Sequence, residues 1–186
     1  MKYKSVVVWL IGLACIGPFV LAAVLYYGPW HRSALPTLPG VRELIQPPIA
    51  LPPAWFDDGG APTADRYRWS LIYARIAACD RQCVEDLDRL RQVHLALGRD
   101  VGRVRRVYLY TGDEPQLPED RQLLVRRLDD EQGAPVLGLL GEDRLRAGRV
   151  YIADPSGNLV VSYPPSAEQK ELLRDLQRLL AASGTG

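Results

Sequence analysis

The sequence predicts an α/β domain in which helices flank a mixed sheet, carried behind one N-terminal transmembrane helix. Three observations predict it. An uncharged apolar run stands near the start. Strand-like and helix-like periodicities alternate through the rest of the chain. A four-residue turn between two late apolar runs makes the last two strands antiparallel.

The apolar run is Val6 to Tyr27, 22 positions without a charge. As a helix it would be about 33 Å long, enough to cross a hydrocarbon core of about 30 Å. Its length, and the lack of a small-x-small cleavage site after Tyr27, favour an anchor over a removable signal. Lys2 and Lys4 beside the amino terminus place that end in the cytoplasm. Residues 1–28 are therefore expected as the anchor, with the rest of the chain exported. In a bacterium that is the periplasmic face of the inner membrane.

Residues 29–53 hold Pro36, Pro39, Pro47, Pro48, Pro52 and Pro53. Proline at this density favours extended polyproline II, a stiff spacer between membrane and domain. Residues 54–182 are expected as the domain and 183–186 as a tail. Asp57-Asp58-Gly59-Gly60 is a turn signal. Arg68–Ile76 (RWSLIYARI) is expected as a central strand. Arg81–Leu97 is expected as a helix, because Val84, Leu87, Leu90, Val93, His94 and Leu97 recur at spacings of three and four, and Gly98 stops it. Val104–Tyr110 is expected as a strand and Pro118–Glu131 as a helix, with Pro118 in its first turn. Val150–Ala153 and Asn158–Tyr163 are expected as strands around the turn Asp154-Pro155-Ser156-Gly157. Ser166–Ala182 closes the domain as a helix with Leu172, Leu173, Leu176, Leu179 and Leu180 on one face. The order β-α-β-α-β-β-α, parallel first and antiparallel last, is a thioredoxin-like architecture.

The net charge of +1 gives no field to attract nucleic acid, and no basic stripe with interleaved aromatics occurs. The chemistry-bearing feature is Cys79-Asp80-Arg81-Gln82-Cys83, at the junction of the first central strand and the following helix. A helix N-terminus stabilises anions, so a thiolate there is a better nucleophile or soft-metal ligand. Arg81 favours the thiolate, whereas Asp80, Glu85 and Asp86 oppose it. Within a regular helix the two sulfurs would stand slightly too far apart to bond; with Cys79 in the preceding loop they can. A permanent bridge in an oxidising compartment is the plain alternative, although closing so short a loop removes little chain entropy. Cys15 lies in the anchor and reads as a small apolar residue. His94 reads as a helix-packing or surface residue. It is about 16 Å along the helix from Cys83, beyond the reach of a shared metal.

Together the anchor, the cysteine placement in Trp69–Leu90 and the late segment VYIADPSGNLVVSY (Val150–Tyr163) resemble the Sco family of cytochrome c oxidase assembly proteins. The resemblance spans about Pro48 to Tyr163. It implies a thioredoxin-like fold and a role for Cys79 and Cys83 in respiratory oxidase assembly, by thiol–disulfide exchange or transient copper handling. Cys79 would be the nucleophile and Cys83 the resolving thiol, and both would be copper ligands. Copper is the one cofactor implied. The partners implied are the membrane and an oxidase subunit or assembly factor. The sequence departs from the family where a ligand histidine precedes the late hairpin: Glu142–Arg149 contains none. Asp80 and Val84 stand where prolines commonly follow the cysteines. Peroxiredoxins carry threonine where this chain has Ile76, and thioredoxin-type reductases carry proline where it has Gly148-Arg149. Two other readings stay open: a non-catalytic scaffold with a structural bridge, and a general periplasmic thiol–disulfide oxidoreductase.

Overall fold

The computed structural model describes residues 16–18, 42–56 and 68–183. The anchor expected over 1–28 lies outside them except for Ile16–Pro18, which are helical. Cys15 and the turn at Asp57–Gly60 also lie outside. Among the described residues no helix is long and apolar enough to cross a membrane. The chain divides into two compact units, Met1–Leu38 and Pro39–Gly186, and the second holds the sheet and the cysteine pair.

Six strands form one sheet: β1 Glu43–Ala50, β2 Trp69–Arg75, β3 Val104–Tyr110, β4 Leu123–Arg127, β5 Arg149–Ala153 and β6 Asn158–Tyr163. Their order across the sheet is β1-β6-β5-β2-β3-β4. The helices are α1 Arg81–Ala96, α2 Ala134–Leu140, α3 Glu142–Leu145 and α4 Gln169–Ala182. β2 pairs parallel with β3 across α1 and antiparallel with β5, which pairs antiparallel with β6. This is the mixed thioredoxin-like sheet expected from the element order.

β2 is apolar along almost its whole length because both of its faces are covered. Its odd residues Trp69, Leu71 and Tyr73 join Cys83, Leu87 and Leu90 of α1 and Leu172 and Leu176 of α4 in one core. Its even residues Ile72 and Ala74 join Val107, Leu128, Val136, Leu140 and Tyr151 in the other. Each fully buried Leu or Ile contributes roughly 1.5–3 kcal/mol by leaving water. A one-residue slip of β2 would exchange its two face sets, so its register is strongly specified.

Three differences from the sequence expectation have physical causes. Glu43–Ala50 falls within the stretch expected as linker, yet it is a strand paired to β6. It carries Pro47 and Pro48 because it is an edge strand with an irregular register between Leu44 and Ile49, where missing N–H groups break no ladder. The helix expected over Pro118–Glu131 does not form: Leu123–Arg127 is β4, parallel to β3. Asp120 accepts the Gln122 N–H and is gripped by Arg106, which turns the backbone away from a helix. Arg126 then donates to the carbonyl of Trp55, and charged side chains suit an exposed edge. The helices α2 and α3 were not legible as such, being two turns and one turn long with Gly138 inside the first. Gly133 precedes α2 as its N-cap residue, where a Cβ would collide with the backbone of Leu128.

Candidate functional site

β2 ends at Arg75, and the chain runs through a loop, Ile76 to Asp80, before α1 begins. Two bonds fix the loop's start: Thr111 Oγ1 donates to the Ile76 carbonyl, and the Ile76 N–H reaches the Leu145 carbonyl. Cys79 is therefore outside the helix and Cys83 in its first turn. The two form a disulfide, with Cα atoms 5.1 Å apart. The two sulfurs have different surroundings. Cys79 is half-buried, whereas Cys83 is fully buried within the α1–α4 core.

Asp80 is the N-cap. Its carboxylate accepts the Cys83 N–H at 3.0 Å and receives Arg75 through two bonds, 2.8 and 2.9 Å. The Arg75 guanidinium, together with the Cys83 amide, holds the Asp80 carboxyl below its ordinary value. Its negative charge at the start of α1 opposes a thiolate there, and Arg75 offsets part of that opposition. Arg81 points away and pairs with Glu85 on the surface.

Beneath the bridge lies a row of tyrosines from β2 and β3. Tyr73 and Tyr108 stack with centroids 5.8 Å apart, and Tyr110 follows at 6.1 Å. Tyr73 donates to Asp86. The Tyr108 hydroxyl stands 3.4 Å from Cys83 Sγ. Since a bridged sulfur has no proton, the phenol is the donor. Burial pushes the Tyr108 phenol up to about 12, and burial with the Asp86 carboxylate pushes Tyr73 up as well. Both are therefore neutral donors at physiological pH. Sequence reasoning missed this row. The signal was present in the alternation of β2 and β3, which puts residues 73, 108 and 110 on the α1 face.

His94 is placed by the structure as a packing residue, buried rather than on the surface. Its Nε2 lies 3.0 Å from the Val101 carbonyl and 2.8 Å from the Val104 carbonyl. Two acceptors require the Nε2–H tautomer, which engages that nitrogen and joins α1 to the 3₁₀ turn Gly98–Arg103. Burial lowers its pKa. The stretch Glu142–Arg149 forms α3 and the start of β5. Within it Gly148 adopts φ +79° and packs so closely on the Tyr73 ring that a Cβ would overlap the hydroxyl. For copper, then, Cys79 and Cys83 could offer two soft donors once reduced. Among the described residues no cluster of three or more His, Cys, Asp or Glu is assembled to hold a metal. The Tyr108 phenol, 3.4 Å from Cys83 Sγ, is a hard, neutral oxygen that suits Cu(I) poorly. Among the described residues, then, no third soft donor stands beside the pair.

A groove of about 480 Å³ runs between α1 and the segment leading to β4. Its walls include Val84, Leu87, Leu95, Leu117, Asp120 and Leu123.

Residues 69–183 match the family model described as the transmembrane-like, thioredoxin-like, C-terminal domain. The chain belongs to that family. The matched region begins at the first central strand and contains both cysteines. Among solved structures the chain is similar to Arabidopsis thaliana ScoI with copper bound, at 16% identity, covering 62% of this chain and 86% of that one, with a TM-score of 0.49. It is similar to Bradyrhizobium japonicum ScoI with copper bound, at 20% identity, 60% and 84% coverage and a TM-score of 0.44. It is also similar to the exposed lipoprotein thioredoxin Etrx1 of Streptococcus pneumoniae, at 15% identity, 61% and 86% coverage and a TM-score of 0.41. No curated protein matches it.

Proposed function

We propose that this chain is a Sco-like factor of the inner membrane, with its domain in the periplasm, that serves respiratory cytochrome c oxidase assembly through thiol–disulfide exchange at Cys79–Cys83. The observation that carries the reading is the unequal burial of the bridge at the start of α1. A partner thiolate can reach Cys79, while Cys83 is held in reserve inside the core. That is the division of labour between an attacked sulfur and a resolving one. The anchor sequence at 6–27 supports the membrane location, and the late Asp154–Gly157 hairpin supports the family resemblance. As an enzyme, the chain would be a thiol–disulfide oxidoreductase. Copper enters this reading only as cargo, passed through the reduced pair.

A non-catalytic reading has one observation in its favour: Asp80 occupies the helix N-terminus and takes the Cys83 amide, where a reactive thiolate would gain from both. On that reading the domain is a scaffold and the bridge a staple. A general oxidoreductase is the third reading. Replacing both cysteines by serine tests the proposal in cells. Loss of oxidase maturation, with the protein still at the membrane, is expected. Normal maturation would rule out exchange and copper transfer together and leave the scaffold. Titration of the reduced full chain with Cu(I), against the same double variant, tests the cargo branch.

A further inference from the structure

We infer that Tyr108 is a positioning residue for the leaving sulfur: its phenol donates a hydrogen bond to Cys83 Sγ and stabilises the thiolate that forms there when the bridge is opened at Cys79. The inference rests on the exchange role proposed above and deepens it.

Cys79 is half-buried and Cys83 has no exposure, so an incoming thiolate attacks Cys79 Sγ. A partner–Cys79 disulfide forms, the Cys79–Cys83 bond breaks, and its electron pair goes to Cys83 Sγ. One sulfur of the partner is oxidised and Cys83 is reduced. A second thiol of a dithiol partner then attacks the partner's sulfur in the mixed disulfide. The partner leaves as an intramolecular disulfide, Cys79 leaves as thiolate, and both cysteines take protons from water.

The difficult product is the first one, a thiolate inside an apolar core. A buried anion without a donor is costly. The usual donor at this position, the amide in the first turn of the helix, is already given to Asp80. Asp80 also presents a negative charge, which Arg75 offsets in part. From the sheet side the Tyr108 phenol reaches the sulfur, 3.4 Å away. Tyr73 does not compete for the sulfur, because its hydroxyl is directed to Asp86. Tyr73 and Tyr110 hold the Tyr108 ring between them. The leaving-group stability of the departing thiol sets the exchange rate, so the donor acts on the rate of opening.

The test uses the purified full-length chain and dithiothreitol as the attacking dithiol, under native conditions. Tyr108→Phe keeps the ring and removes the donor; bridge opening should slow roughly threefold to tenfold. Tyr151→Phe, which removes a buried phenol in the core on the other face of the sheet, should open at the parent rate. A second reaction separates chemistry from structure. In a Cys83→Ser background carrying a Cys79–glutathione mixed disulfide, glutathione leaves instead of Cys83, and Tyr108→Phe should have no effect. Replacing Tyr108 by 3-fluorotyrosine, a stronger donor of nearly the same size, should speed bridge opening. Equal rates for Tyr108→Phe and the parent, or equal slowing of both reactions, would overturn the inference while leaving the exchange role intact. A parent bridge that dithiothreitol cannot open without unfolding would overturn the exchange role, and the inference with it.

Discussion

Arg75 and Asp80 face each other across the turn between β2 and α1, joined by two hydrogen bonds of 2.8 and 2.9 Å. One carboxylate thus caps the helix, fixes the last residue of the central strand and sets the charge beside the disulfide. Asp80→Asn separates these duties, because asparagine caps a helix as well as aspartate does. The variant should fold normally, and the reduced Cys79 thiol should titrate at lower pH than in the parent. The pH dependence of its alkylation by iodoacetamide measures the shift. Asp80→Ala loses the cap too and should also lower the melting temperature.

The acid side of the stability profile should show two stages. His94 is buried and neutral, with its pKa lowered from 6.5 by burial. The unfolded chain binds that proton first, so the stability His94 contributes is present above about pH 6.5 and lost as pH falls below it. The slope is at most about 1.4 kcal/mol per pH unit. Asp80, Asp120, Asp129 and Asp175 form the second stage. The first three are depressed chiefly by Arg75, Arg106 and Arg127 respectively. For Asp175 burial pushes upward, but Arg42 and the Tyr163 hydroxyl together pull it further down. Depressed carboxylates contribute stability above their unfolded value of 3.8, and it is lost as pH falls towards about 2, where Asp129 titrates. Urea denaturation from pH 8 to pH 2 should show both stages. His94→Gln should be less stable at pH 8 and should lack the first.

Arg106 has 2% of its side chain exposed and is paired with Asp120, which is 22% exposed. Asp120→Ala leaves that guanidinium, on the same strand as Tyr108, buried without its partner. The expected loss is about 2–3 kcal/mol, below the usual range for a broken buried pair because Asp120 is partly hydrated. Replacing both residues by apolar ones should recover most of it. Denaturant midpoints for the two single variants and the double variant check the coupling.

Gly148 sits at φ +79° against the Tyr73 hydroxyl. Gly148→Ala should cost about 1–3 kcal/mol through its backbone conformation and the overlap. Tyr73→Phe removes the closest contact, the hydroxyl, while ring Cζ stays at 2.8 Å, so in that background the same substitution should cost less but not nothing. A double-mutant cycle by thermal melting isolates the contact.

The strands and helices that carry the bridge were legible because each has a strong period and a clear stop. Gly98 at φ +61° ends α1 as expected, and Val104–Tyr110 and Asn158–Tyr163 appear with the predicted bounds. Arg121 to Arg127 misled because its residues form helices well in isolation, while the Arg106–Asp120 pair and the open edge of β3 decide otherwise. The two cysteines were legible from their placement alone. The groups that tune them were not, since Tyr108 is 25 residues from Cys83 and meets it only through the pairing of β2 with β3. Likewise nothing local says that Asp80 turns toward Arg75 rather than toward solvent.

The proposed exchange of the Cys79–Cys83 bridge with partner thiols is tested by its reduction potential. Equilibration of the full-length chain against glutathione and dithiothreitol buffers should give a value above about −300 mV, in the range of exchange-active pairs. A value below it, or a bridge that opens only on unfolding, would contradict the account and leave a structural staple.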